Sequence, residues 1–178
     1  MSTTPSPSLR RRGLAAGAAA LATTALVAAP AVAGAALIFG DGLRDYAPAA
    51  AGPFDGATGT ATLVHHADGA TVVLGLNGVD PAVAGRTFGA HLHVGPCVTG
   101  LGAAAGPHHN HSAVVPPVVD DTSEVWLDFT VTGGGTARSV AHVDWFPEAG
   151  QRSIVVHELA TAVDGTAGAR LACLPVEW

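Results

Sequence analysis

The segment Gly89-Ala90-His91-Leu92-His93-Val94-Gly95-Pro96-Cys97 sets two histidines on either side of one leucine, inside an apolar run that reads as a β-strand. Residues two apart on a strand point to the same face. His91 and His93 therefore place two imidazoles side by side on a rigid surface, which is half of a first-row metal site. Two later segments carry more. His108, His109 and His111 fall in Gly106-Pro107-His108-His109-Asn110-His111, and His157 ends the apolar run Ile154-Val155-Val156. Four imidazoles drawn from three segments suit copper, whose divalent state takes tetragonal nitrogen coordination. His65, His66 and His142 stand apart from these groups and read as surface residues.

The chain that must position them has 178 residues, and its first forty read as an address. Arg10-Arg11-Arg12 form a basic start, Gly13 to Ala29 carry no charge, and Ala31-Val32-Ala33 is the small-x-small pattern of a cleavage site. Residues 1–33 are thus expected to be an export signal, with Arg11-Arg12 also fitting a twin-arginine type. The alternative is an uncleaved anchor; the alanine-rich, mildly apolar character favours cleavage. All eight basic residues are arginine, against 14 acidic ones, and three of the eight lie in the signal. The exported part is acidic, which argues against nucleic acid or an anionic membrane as partner. Two cysteines, Cys97 and Cys173, in an exported chain imply one disulfide. Such a bridge leaves no thiolate for a Cys/His structural zinc.

Residues 34–56 are rich in Ala, Gly and Pro and read as a flexible lead-in; residues 57–178 are one domain's worth of chain. Short β-type runs then alternate with turn signals. Strands are expected over 60–65, 71–76, 87–94, 125–132, 137–143, 151–158 and 170–174. Asp68-Gly69 suggests a type I′ hairpin, and 98–112 is a Gly- and His-rich loop. No segment has a helical period. The expectation is an all-β sandwich or barrel with one disulfide.

Four motifs, in order, resemble the copper/zinc superoxide dismutase family. Gly89-Ala90-His91-Leu92-His93 resembles its G-x-H-x-H copper strand. Ala105-Gly106-Pro107-His108-His109-Asn110 resembles its A-G-x-H-[FY]-[ND] segment. Arg152-Ser153-Ile154-Val155-Val156-His157-Glu158 resembles its G-R-[ST]-hydrophobic-V-V-H-E strand. Gly168-Ala169-Arg170-Leu171-Ala172-Cys173 resembles its G-x-R-x-A-C ending. The resemblance implies a Greek-key β-sandwich of about eight antiparallel strands. It implies copper held by His91, His93, His108 and His157, with a Cys97–Cys173 bridge. It also implies an exported enzyme that converts superoxide to O2 and hydrogen peroxide. There His108 carries a proton and Arg170 guides the anion.

The chain departs from the family in two places. The segment 112–123 holds none of the further zinc-loop histidines, and the loop between His157 and Arg170 is short. This pattern resembles the copper-only branch, for which zinc is not expected. The far nitrogen of His108 then needs another partner, with Asp120, Asp121 and Glu124 as candidates. A different class of protein would use the same ligands: a non-catalytic extracytoplasmic copper-binding or copper-buffering protein. Arg170 is the feature that favours the enzyme.

Overall fold

Alternating apolar and polar residues form the strands among the described residues, and glycine, proline and aspartate break them into short pieces. The structure is a computed structural model that describes residues 1, 2 and 36–178. All but the first two residues of the expected export signal over 1–33 lie outside the described residues. The strands are β1 (Ala36–Gly42), β2 (Arg44–Asp45), β3 (Thr58–His66), β4 (Gly69–Asn77) and β5 (Thr87–Phe88). They continue with β6 (Ala90–His93), β7 (Phe129–Thr130), β8 (Thr136–Val143), β9 (Gln151–His157) and β10 (Arg170–Glu177). Helix among the described residues is confined to two single 3-10 turns, Pro81–Val83 and Gly102–Ala105.

Every strand pairing among the described residues is antiparallel. One sheet runs β1-β3-β4-β8, a second β2-β10-β9-β6, and β5 pairs with β7. Ala61, Leu63, Val72, Leu74 and Leu76 of the first sheet share one core with Leu92, Ile154, Val156, Ala172 and Leu174 of the second. Burial of this kind stabilises by about 25 cal/mol per Å² of apolar surface. The arrangement is an all-β, sandwich-like one.

The second sheet is buried on its outer side as well. There Val155 and Cys173 pack with Cys97 and Ala105 under the loop that follows β6. The Cys97–Cys173 disulfide pins that loop to β10, across a sequence separation of 76. Closing a loop of that length stabilises by about 4 kcal/mol in the chain-entropy view.

The structure corrects four expectations. Residues 34–56 are not all a flexible lead-in, because β1 pairs with β3 over seven residues and β2 pairs with β10. Neighbouring strands supply the backbone partners that this Ala/Gly/Pro-rich composition hides. The hairpin after β3 is not type I′. His66 pairs with Gly69, so its loop is Ala67-Asp68, and no non-glycine residue among those described has positive φ. Gly69 instead opens β4 at φ 143°, where a Cβ would lie 2.0 Å from the Val143 carbonyl oxygen. The single strand expected over 87–94 is split at Gly89. A Cβ at Gly89 would come within 2.8 Å of Ala167 Cβ and the Leu159 carbonyl oxygen, so a loop crosses directly above it. The strand expected over 125–132 narrows to β7, although Leu92 N to Val125 O (3.2 Å) and Leu127 N to Ala90 O (2.7 Å) continue the pairing irregularly beside β6.

Candidate metal centre

Strand β6 turns Ala90 and Leu92 into the core, and the period of two turns His91 and His93 to the opposite side. Both histidines are fully buried. β9 ends on the same side: His157 follows Val155 at that spacing, and its amide donates to the Gly89 carbonyl (2.8 Å). His108 arrives from the loop. Val94 N donates to Pro107 O (3.1 Å) and His109 N to Leu92 O (2.8 Å), and these bonds set His108 opposite His93. The loop can turn there because Gly106 has φ 68°, with a Cβ position only 2.8 Å from Val94 Cγ2.

These four histidines, His91, His93, His108 and His157, each bring one ring nitrogen to a group in which all four atoms lie within 4.8 Å of one another. The other ring nitrogens are engaged outward. His93 Nδ1 donates to Gly106 O (3.0 Å) and His157 Nδ1 to Gly168 O (3.3 Å). His108 Nδ1 meets Glu124 Oε2 at 2.7 Å, and His91 Nε2 meets Thr161 Oγ1 at 2.7 Å. A carbonyl can only accept, so the inner Nε2 atoms of His93 and His157 are bare lone pairs. They face each other at 3.3 Å. Two bare acceptors at that distance repel unless a cation lies between them. His91 Nδ1 is likewise buried with no hydrogen-bond partner. This donor set fits a metal ion that takes imidazole nitrogen.

The electrostatics keep the imidazoles ready. Burial, reinforced by the neighbouring His108 and His157, lowers the pKa of His91 to about 2. Burial also lowers His93 to about 3 and His157 to about 4, against the opposing hydrogen bonds to Gly106 and Gly168. All three are neutral at pH 7, the state a metal needs.

Of the three carboxylates considered for His108, Glu124 is the partner. Burial alone would raise its pKa. Hydrogen bonds from His108, Trp126 Nε1 (2.9 Å) and Asn110 Nδ2 (3.0 Å) outweigh that and hold it below the usual value. Asp120 instead caps its own turn through Thr122 and Ser123. His109 and His111 do not join the group; both rings stack on Trp145, at centroid distances of 5.4 and 4.8 Å. His66 and His142 are exposed and share Thr71 Oγ1 at 2.8 and 2.9 Å. Trp126 lies beside the site, its ring 6.0 Å from that of His91.

Arg170 opens β10 directly across from His157. Its Nη1 donates to Gly102 O and its Nη2 to Gly106 O, both at 2.6 Å. Gly106 O also accepts from His93, so one carbonyl fixes both the cation and a histidine of the group. A cleft of about 650 Å³ opens over this corner, lined by His108, His157, Glu124 and Arg170 together with Val119 and Asp164. A groove of about 690 Å³ between β1 and the β9–β10 pair contains none of the four histidines.

Two contributors escaped the sequence: Thr161, which bonds His91, and Asp128, which bonds Thr161. Neither sits in a pattern that marks it. No helix among the described residues is long and apolar enough to cross a membrane. The fold and site together define an all-β, disulfide-bonded protein with a buried four-histidine group that could hold a metal ion. Neither models of known protein families nor curated proteins match this chain.

Proposed function

We propose that this chain is an exported, copper-dependent superoxide dismutase. The observation that carries the proposal is the join between the four-histidine group and Arg170 at the foot of one open cleft. Copper bound there would supply one-electron chemistry, oxidising one superoxide to O2 and reducing a second, with two protons, to hydrogen peroxide. His91, His93, His108 and His157 would hold the ion through neutral imidazoles. Glu124 fixes the proton of His108 on Nδ1, which leaves Nε2 turned to the group. His108 borders the cleft, where its Nε2, whenever it is not holding the ion, could take a proton from solvent and hand it to the anion while Nδ1–H stays on Glu124. Arg170 gives a small anion a fixed positive charge and free N–H donors in an otherwise acidic protein. The disulfide suits an oxidising compartment, which supports export.

The test is metal analysis of the purified domain after copper reconstitution, beside a superoxide assay on the same sample. One copper per chain with copper-dependent dismutation supports the proposal. Stoichiometric copper without dismutation would instead mark a copper-binding or buffering protein on the same scaffold. Full copper retention in a His91→Ala, His157→Ala double variant would remove the assigned ligand set.

A further inference from the structure

Asp128 has no part in the function proposed above, yet three donors converge on it, and Thr161, which supplies two of them, also meets His91. Thr161 N donates to Asp128 Oδ2 (2.8 Å), and Thr161 Oγ1 donates to Asp128 Oδ1 (2.5 Å). Ala90 N, one residue before His91, approaches the same Oδ1 at 3.4 Å. On its other side Thr161 Oγ1 meets His91 Nε2 at 2.7 Å.

The direction of these bonds follows from counting protons. A carboxylate only accepts, so the single hydroxyl proton of Thr161 goes to Asp128. The contact between Thr161 and His91 must then use a proton on Nε2. His91 is thereby held in the tautomer that leaves Nδ1 bare, and Nδ1 is the buried nitrogen with no partner. The other three histidines keep their proton on Nδ1 instead, through Gly106, Glu124 and Gly168.

The same pair fastens a loop. Thr161 lies in the segment joining β9 to β10, whose residues Asp164 to Gly168 form one wall of the cleft. That segment is also tied to β6 by Gly89 N to Leu159 O (2.7 Å). Seating Thr161 on Asp128 thus seats the cleft wall and selects the His91 tautomer in one step.

We propose that Asp128 and Thr161 are a positioning pair that sets the tautomer of His91 and couples it to the seating of the 158–169 loop. This rests on the assignment of His91 as a metal ligand, but its first test needs no metal. In metal-free protein at pH 7.5, nitrogen-15 NMR of the histidine rings should report His91 as the Nε2–H form. Asp128→Asn reverses the logic. The amide oxygen takes the Thr161 N–H, the shorter of the two backbone contacts, the amide NH2 points at Thr161 Oγ1 and gives up the 3.4 Å contact from Ala90 N, and the hydroxyl proton turns to His91 Nε2. His91 should then become the Nδ1–H form, and Thr161→Ser should keep the wild-type form.

Copper affinity, measured by competition with a chelator, should fall roughly 10- to 100-fold in Asp128→Asn, the usual scale for a lost outer partner, and stay near wild type in Thr161→Ser. The Thr161 amide should exchange with solvent faster in Asp128→Asn. An Nδ1–H tautomer of His91 in the wild-type protein would overturn the proposal, and that measurement depends on no variant. An unchanged tautomer in a folded Asp128→Asn protein would overturn it too. Failure of the wild-type protein to bind copper, with the tautomers as expected, would fail the proposed function and leave the pair's role standing.

Discussion

His108 and Glu124 are joined by a 2.7 Å contact from Nδ1 to Oε2, and that carboxylate is buried and also accepts from Trp126 and Asn110. The relationship gives the first test. Glu124→Gln removes the charge while keeping the size and one acceptor oxygen. Its amide NH2, placed toward His108, would face a donor. The variant should still bind copper and lose roughly tenfold in dismutation, the lower end of what such outer partners contribute. Copper analysis and a superoxide assay on one preparation check it. An unchanged rate would show that His108 does not depend on Glu124.

The metal-free protein should lose stability as it is acidified. His91, His93 and His157 have folded pKa values near 2, 3 and 4, well below the ordinary value of 6.5. The unfolded chain therefore binds protons first. Stability is fully present above about pH 6.5 and is lost as pH falls from there to about 4 for His157, about 3 for His93 and about 2 for His91, by up to about 1.4 kcal/mol per pH unit for each group. Urea midpoints between pH 7.5 and 4.5 measure this. A flat profile would mean that the imidazoles are not buried and neutral in the folded chain.

Gly89→Ala tests the crossing of the 158–169 loop over the strand break. The new methyl would meet Ala167 Cβ and Leu159 O at 2.8 Å and Thr161 Oγ1 at 2.9 Å. The two backbone-fixed neighbours cannot yield, so the loop must lift from β6. Stability should fall by about 1–3 kcal/mol, the cost of overpacking, and copper should bind more weakly. Thermal unfolding of metal-free protein and a chelator competition are the measurements. Wild-type values for both would deny that the loop is seated there.

The contrast between His91-x-His93 and Asp128 shows what the sequence made legible. A period of two on an apolar strand is a local pattern, so the shared face of His91 and His93 could be read directly, as could His157 at the end of β9. The disulfide followed from the cysteine count and the implied compartment. The choice of Glu124 over Asp120 and Asp121 depended on which carboxylate the loop turns inward. That turn is set by Asp120 bonding Thr122 and Ser123, a detail that no spacing rule reports. Thr161 and Asp128 meet across 33 residues, and β1 takes its hydrogen bonds from a strand some twenty residues away. Long-range pairing supplies what their composition withholds.

Arg170 separates an enzyme from a copper carrier. A carrier needs ligands but has no use for a cation beside the open side of the group. An enzyme acting on a small anion gains encounter rate from such a charge, and salt weakens the gain. Arg170 is also a structural residue here, since Gly102 O and Gly106 O both accept from it and Gly106 O also orients His93. Arg170→Ala should therefore lower the rate roughly tenfold, the scale of 1.4 kcal/mol, and lower copper affinity slightly through the freed carbonyl. Arg170→Lys keeps the charge but not the planar fork, and should fall between the two. The salt dependence distinguishes the causes. If the charge acts on the incoming anion, the rate should decline with ionic strength in the wild-type and lysine proteins and hardly at all in the alanine protein. Pulse radiolysis on copper-saturated samples across a salt series measures it. Parallel salt dependence in all three proteins would reduce Arg170 to a clamp for the Gly102–Gly106 turn, and the copper-carrier alternative would then gain ground.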